Sequence, residues 1–119
     1  MSLKHFFLEE FACTHCQKND INHDLVELLD LARDMAGVPF RINSGFRCED
    51  HNKSVGGSPN SLHKFGRAAD IHVADNAHRY QILKALFAVE MPRVLIYKTF
   101  IHADIAGEGK QEEIALWMG

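Results

Sequence analysis

His63 and Asp70 lie seven positions apart in "SLHKFGRAADIHV", and His102 lies far downstream in "TFIHADI". Imidazole and carboxylate groups both ligate borderline divalent metals, and three such ligands leave one corner of a tetrahedron open to water. Gly66, between His63 and Asp70, lets the chain turn back so that the two side chains converge. His102 stands near apolar Phe100 in a β-like run, where an imidazole is costly unless it is hydrogen-bonded or coordinated. The two histidines and the aspartate read as an open zinc (Zn²⁺) set, which suits catalysis rather than bracing.

Other reactive side chains are weighed against plainer uses. Cys13, Cys16 and Cys48 are an odd set, which argues against a complete disulfide framework. Cys13 and Cys16 have the two-residue gap of a zinc knuckle or redox pair, and Cys48 with His15 or His51 can complete a closed site. Small buried thiols are the reading preferred for them. His5, His15, His23, His51 and His78 are taken as ordinary satisfied histidines, and His72 as a residue that lines the pocket or partners a carboxylate. Ser44 has no Ser-His-acid pattern around it and reads as a turn-capping hydroxyl.

The elements that must position these groups follow from periodicity. Asn22 to Ala36 places Leu25, Leu28, Leu29, Ala32 and Met35 at helical spacing, with Asn22 as N-cap and Gly37 as the stop. Pro39 to Asn43 and Gly66 to Val73 read as strands, with a short helix at Cys48 to Val55 between them. Asn76 to Val89 is a second long helix burying Ile82, Leu83, Leu86 and Phe87, with Pro92 beyond its end. Arg93 to Tyr97 and Thr99 to Ile105 read as a strand hairpin, and "EEIALWMG" as a last strand. Without a regular strand-helix-strand repeat, the class is α+β: a small antiparallel sheet with flanking helices.

At 119 residues and 46% hydrophobic content, the chain is expected to form one domain spanning residues 1–119. A net charge of -3 and a pI near 6.2 give no broad basic surface, so no nucleic-acid partner is expected. No apolar run approaches the roughly 20 residues needed to cross a bilayer, so no membrane partner is expected either. "MSLKHFFLEEFAC" has glutamates where an export signal needs an apolar core. Location stays open between release from the cytoplasm and export from a longer precursor.

"SGFRCEDHN", "GGSPNSLHKFGRAADI" and "FIHAD" together resemble the motifs of the M15-type zinc peptidases, the D-alanyl-D-alanine carboxypeptidases and peptidoglycan-cleaving endopeptidases. That family shares a small fold with the Hedgehog signalling domain. "EEFACTHC" is similar to the opening of its smaller, phage-associated branch. The resemblance implies a Hedgehog/DD-peptidase-like fold, with zinc held by His63, Asp70 and His102 and with Arg47 steadying the substrate carbonyl and its oxyanion. It also implies hydrolysis of peptidoglycan stem peptides by a chain expected to act as a monomer. Guanidinium chemistry suits that role for Arg47, because the group stays charged and offers several donors in one plane.

One position departs from the family pattern. Relatives carry a Glu or Asp general base three residues before the last histidine, and Thr99 stands there in this chain. Asp104, two residues after His102, shares its strand face and is the candidate catalytic acid-base, either moving the proton or orienting His102. Tyr97 and Lys98 are candidate substrate contacts, and Asn52 and Asn60 are expected to pin the loops bearing Arg47 and His63. The missing acid favours one alternative, a non-catalytic zinc-binding module of the same fold; a third reading is a structural virion-associated domain whose metal only stabilises the fold.

Overall fold

The computed structural model describes residues 2–106 and the backbone of one further strand at 113–116. A 3-10 turn at Leu8–Phe11 precedes helix α1 (His23–Ala36), which begins where the Asn22 side chain accepts from the N–H groups of Asp24 and Leu25. Gly37 ends α1 in the left-handed conformation, its N–H donating to the Arg33 carbonyl. Strand β1 (Ile42–Ser44) leads to the short helix α2 (Glu49–Ser54), capped by Cys48, whose sulfur accepts from the His51 N–H. A 3-10 turn at Leu62–Phe65 follows, where the sequence reading had only a loop. After it come strand β2 (Ala68–His72), helix α3 (Asn76–Ala88), the β3 (Arg93–Ile96) and β4 (Phe100–Asp104) hairpin, and β5 (Glu113–Leu116).

The sheet order is β1-β2-β4-β3-β5. Its first four strands pair antiparallel, as expected, and β5 lies parallel to β3 along the outer edge. In the hairpin, the Tyr97 N–H donates to the Phe100 carbonyl, so Lys98 and Thr99 form a two-residue turn and Thr99 lies outside β4. β2 and β4 are central. Ala68 to Ile71 are buried without alternation, which is the pattern of a strand covered on both faces.

α1 and α3 pack against each other over the sheet, and Leu25, Val26, Leu29, Ile82 and Leu86 join Ile71, Val94 and Ile101 in one apolar cluster. Two expected core positions lie outside it. Met35, in the last turn of α1, is exposed and Val26 takes up the burial; Phe87 of α3 is exposed, with Ala85 buried in its stead. Small Ala85, buried in the same cluster, is consistent with closer packing of α3 than a phenyl ring would allow. Among the described residues no helix is long and apolar enough to cross a membrane.

Gly66 closes the turn that delivers His63 to the site. It adopts φ 68, and a Cβ there would collide with the Asp20 carbonyl oxygen. Gly37 has nearly the same backbone, at φ 67, but open space around it. Gly37→Ala should therefore cost only the left-handed penalty of about 1–2 kcal/mol. Gly66→Ala should cost about 1–3 kcal/mol more through overpacking. Denaturant titration of both variants checks this, and equal losses would contradict the close approach at Gly66.

Candidate functional site

Asp70 and His102 are direct partners across β2 and β4, and Leu95 of β3 continues the row. The neighbouring row on the same face holds Ala68, Asp104 and Arg93, because alternate strand residues share a side of the sheet. His63 enters from the 3-10 turn, whose start is capped by the Ser61 hydroxyl accepting from the His63 N–H. The result is a cluster in which ligand atoms of His63, Asp70 and His102 all lie within 4.8 Å of one another. His63 Nε2 and His102 Nδ1 approach the same oxygen, Asp70 Oδ1, at 3.2 and 2.9 Å.

The outer nitrogens of both rings are occupied. His63 Nδ1 donates to the Gly45 carbonyl at 2.8 Å; a carbonyl can only accept, so Nδ1 carries a proton and Nε2 is the nitrogen turned toward Asp70, where it could ligate a metal. His102 Nε2 donates to Asp104 Oδ2 at 2.8 Å, which turns Nδ1 toward Asp70. Asp104 is fully buried, and it accepts from Arg93 Nη1 at 2.9 Å and from the Ala106 N–H at 2.8 Å. Two imidazoles with fixed tautomers and one carboxylate form a donor set that fits a zinc-class cation, with further coordination space toward the cavity.

Burial works to raise the Asp70 carboxyl, but its hydrogen-bond contacts with His102 and His63 hold it well below the usual carboxylate range. Burial likewise opposes protonation of His102, and the hydrogen bonds to Asp104 and Asp70 outweigh it, so the imidazole is pushed up to about 9. In the metal-free site a proton on His102 thus stands where a cation's charge would otherwise balance two carboxylates.

Arg47 completes the arrangement from the loop after β1. Its Nε donates to Ser44 Oγ at 3.0 Å, Nη1 to Asn52 Oδ1 at 3.3 Å and Nη2 to Asp70 Oδ2 at 3.4 Å. Asn52 is buried and donates in turn to the Ser58 carbonyl, so it pins the Arg47 loop as anticipated and also aims the guanidinium. A cavity of about 540 Å³ opens over Arg47, His63, Asp70 and His102, with Tyr97 and Phe100 on its wall. Those two rings stack at 4.4 Å. Asn60 lines the cavity, whereas His72, Lys98 and Thr99 do not. Among the described residues, Asp70 is the one carboxylate in the lining. Sequence reading passed over Arg93 and Leu95; only the strand register, which no local motif encodes, puts them beside Asp104 and His102.

A family model described as Peptidase M15 matches residues 4–104, a span that holds every residue of this site. The chain belongs to the peptidase M15 family. Membership implies a peptide substrate; M15 peptidases are typically zinc-dependent, and the histidine–aspartate cluster is a candidate for holding such a metal. A search of curated proteins returns no match.

The charge arrangement sets the pH response of the metal-free protein. His102, raised from an ordinary value of 6.5 to about 9, contributes stability that is complete below about pH 6.5 and is lost as pH rises through 9. Asp70, lowered from 3.8, contributes above that value and loses its contribution as pH falls below it. Chelator-treated protein should melt highest between about pH 4 and 6.5 and fall on both sides. A melting temperature that climbs steadily from pH 6.5 to 9 would contradict the charged His102.

Proposed function

We propose that this chain is a zinc-dependent metallopeptidase that hydrolyses peptide bonds in the stem peptides of peptidoglycan. The observation that carries the reading is the cluster of His63, Asp70 and His102, open on a cavity whose rim holds a braced arginine. The likeness of "SGFRCEDHN", "GGSPNSLHKFGRAADI" and "FIHAD" to wall-peptide hydrolases supports the substrate class.

Zinc bound there would supply Lewis acidity and a water acid enough to ionise near neutral pH. The chain's own residues supply position and charge. Arg47 is restrained by Ser44 and Asn52, so its fork can meet the oxyanion of the scissile carbonyl, or a substrate carboxylate, without reorganising. The stacked Tyr97 and Phe100 give the cavity an apolar wall for a peptide side chain or backbone. Asp104 fits the orienting role of the two open to it: it is sealed from solvent on the far side of the His102 ring and already engaged by Arg93. Its part is to fix the tautomer of His102 and raise the basicity of Nδ1.

A second reading, a metal-binding module without turnover, is favoured by Thr99, which lies in the hairpin turn and outside the cavity lining. Mass spectrometry of muropeptides incubated with zinc-loaded protein separates the two. Loss of one terminal D-alanine indicates a carboxypeptidase and an internal cut an endopeptidase, whereas intact peptides with bound zinc sink the enzyme. Arg47→Ala should lower kcat by about 10²–10³ while zinc stays bound. Arg47→Lys should recover only part of that, since it lacks the planar fork.

Asp104→Asn should weaken zinc binding by about 10–100-fold. At saturating zinc its kcat should remain within a few-fold of the parent. A large loss of kcat in fully loaded Asp104→Asn would make Asp104 a proton carrier instead.

A further inference from the structure

The three cysteines do not scatter as isolated thiols. Cys13, Cys16 and Cys48, from two distant segments, bring their sulfurs within 4.8 Å of one another, and all three are free. Cys13 is buried and the other two are half-buried. None of them lines the Arg47 cavity.

The local backbone has the form of a metal knuckle. The Cys13 N–H donates to the Lys18 carbonyl, the Gln17 N–H returns to the Cys13 carbonyl, and Gln17 adopts φ 63, so the Cys13–Cys16 segment is closed into a tight turn. Backbone N–H groups point at the sulfurs: that of Cys48 at Cys13 Sγ at 3.5 Å, and that of His51 at Cys48 Sγ at 3.4 Å. Such donors favour thiolates over thiols. Burial opposes ionisation of Cys13, but N–H groups of Cys48, Cys16 and His15 override it and draw the thiol down to about 6; at Cys48 the His51 N–H is outweighed by burial and by the neighbouring Cys16 and Cys13, so that thiol is pushed up instead.

A fourth donor stands beside Cys48, outside the mutually close group of three sulfurs. His15 Nδ1 lies 3.6 Å from Cys48 Sγ, and the ring is stacked on that of His51 at 5.9 Å. Zinc bonds of about 2.3 Å to sulfur and about 2.0–2.1 Å to nitrogen in a tetrahedron separate those two ligand atoms by about 3.6 Å. The pair is thus already at coordination spacing.

We propose that Cys13, Cys16, Cys48 and His15 form a second, closed metal site that takes a zinc-class cation and ties the N-terminal segment to the loop bearing Arg47. Three thiols and an imidazole match a soft-to-borderline divalent ion, with the thiol protons released on binding. The tie is direct: Cys48 follows Arg47 in sequence, and the Phe46 N–H donates to the Phe11 carbonyl two residues before Cys13. Cross-linking these segments through a metal would hold Arg47 against Ser44 and Asn52.

The test is metal analysis and cobalt spectroscopy on the full chain, purified under reducing conditions. Wild type should carry two zinc ions, His63→Ala/His102→Ala one, and Cys16→Ser one. With Co²⁺ in place of zinc, sulfur-to-cobalt charge-transfer absorption should appear in wild type and persist in His63→Ala/His102→Ala. Cys16→Ser should lose it. Wild type alone decides the matter if a variant fails to fold: a single zinc without thiolate–cobalt absorption overturns the proposal. So does a disulfide between any two of the three cysteines in the zinc-treated protein, or two zinc ions retained by Cys16→Ser. Because the readout is sulfur ligation, it stands or falls independently of turnover at His63, Asp70 and His102.

Discussion

Burying the Asp70 carboxylate between His63 and His102 removes solvation that only close partners can replace, and much of the surrounding structure supplies those partners. One carboxylate oxygen faces both imidazoles while the other faces Arg47. No side-chain polar atom buried among the described residues lacks a hydrogen-bond partner, so the cost is met locally. Two central strands place Asp70 opposite His102, a 3-10 turn swings His63 across, and a loop after β1 returns with Arg47. Misplacing any one of these would leave a charge in the sheet without compensation.

The supporting contacts explain why the site is rigid as well as close. Each imidazole is gripped from behind by an acceptor of a different kind, a backbone carbonyl for His63 and a buried carboxylate for His102. A backbone acceptor fixes a tautomer without adding charge. A carboxylate fixes it and also raises the basicity of the ring, and Arg93 balances the added negative charge in the adjacent row. Opposite charges therefore alternate across the sheet face, and every functional nitrogen has one orientation available to it.

Much of this was legible in the residues. Asn22 and Gly37 bracket α1 as caps should, and "GRAADIHV" reads as a strand because alanines and β-branched residues suit a crowded central position. The convergence of His63 with Asp70 followed from Gly66 between them, and His102 stood out as an imidazole in an apolar strand. What stayed hidden is set by register and by tertiary packing. Arg93 meets Asp104 only because β3 and β4 align those two positions, and the exposure of Met35 and Phe87 depends on where the helices sit. The parallel docking of β5 is likewise a tertiary event, absent from its own alternation pattern.

Thr99 and Asp104 illustrate how the same hairpin can separate two tasks. The two-residue turn at Lys98 and Thr99 begins β4 at Phe100, which puts His102 and Asp104 on one face and leaves position 99 off the cavity. A carboxylate at 104 then meets the outer edge of His102, and because the ring lies between it and Asp70, it acts on the cavity only through the imidazole. Strand geometry thus makes Asp104 well placed to orient His102 and poorly placed to meet water. Asp70 is the lone carboxylate among the described lining residues, and beside it the Arg47 guanidinium is restrained on three sides by Ser44, Asn52 and Asp70, so its position over the cavity is fixed by the fold.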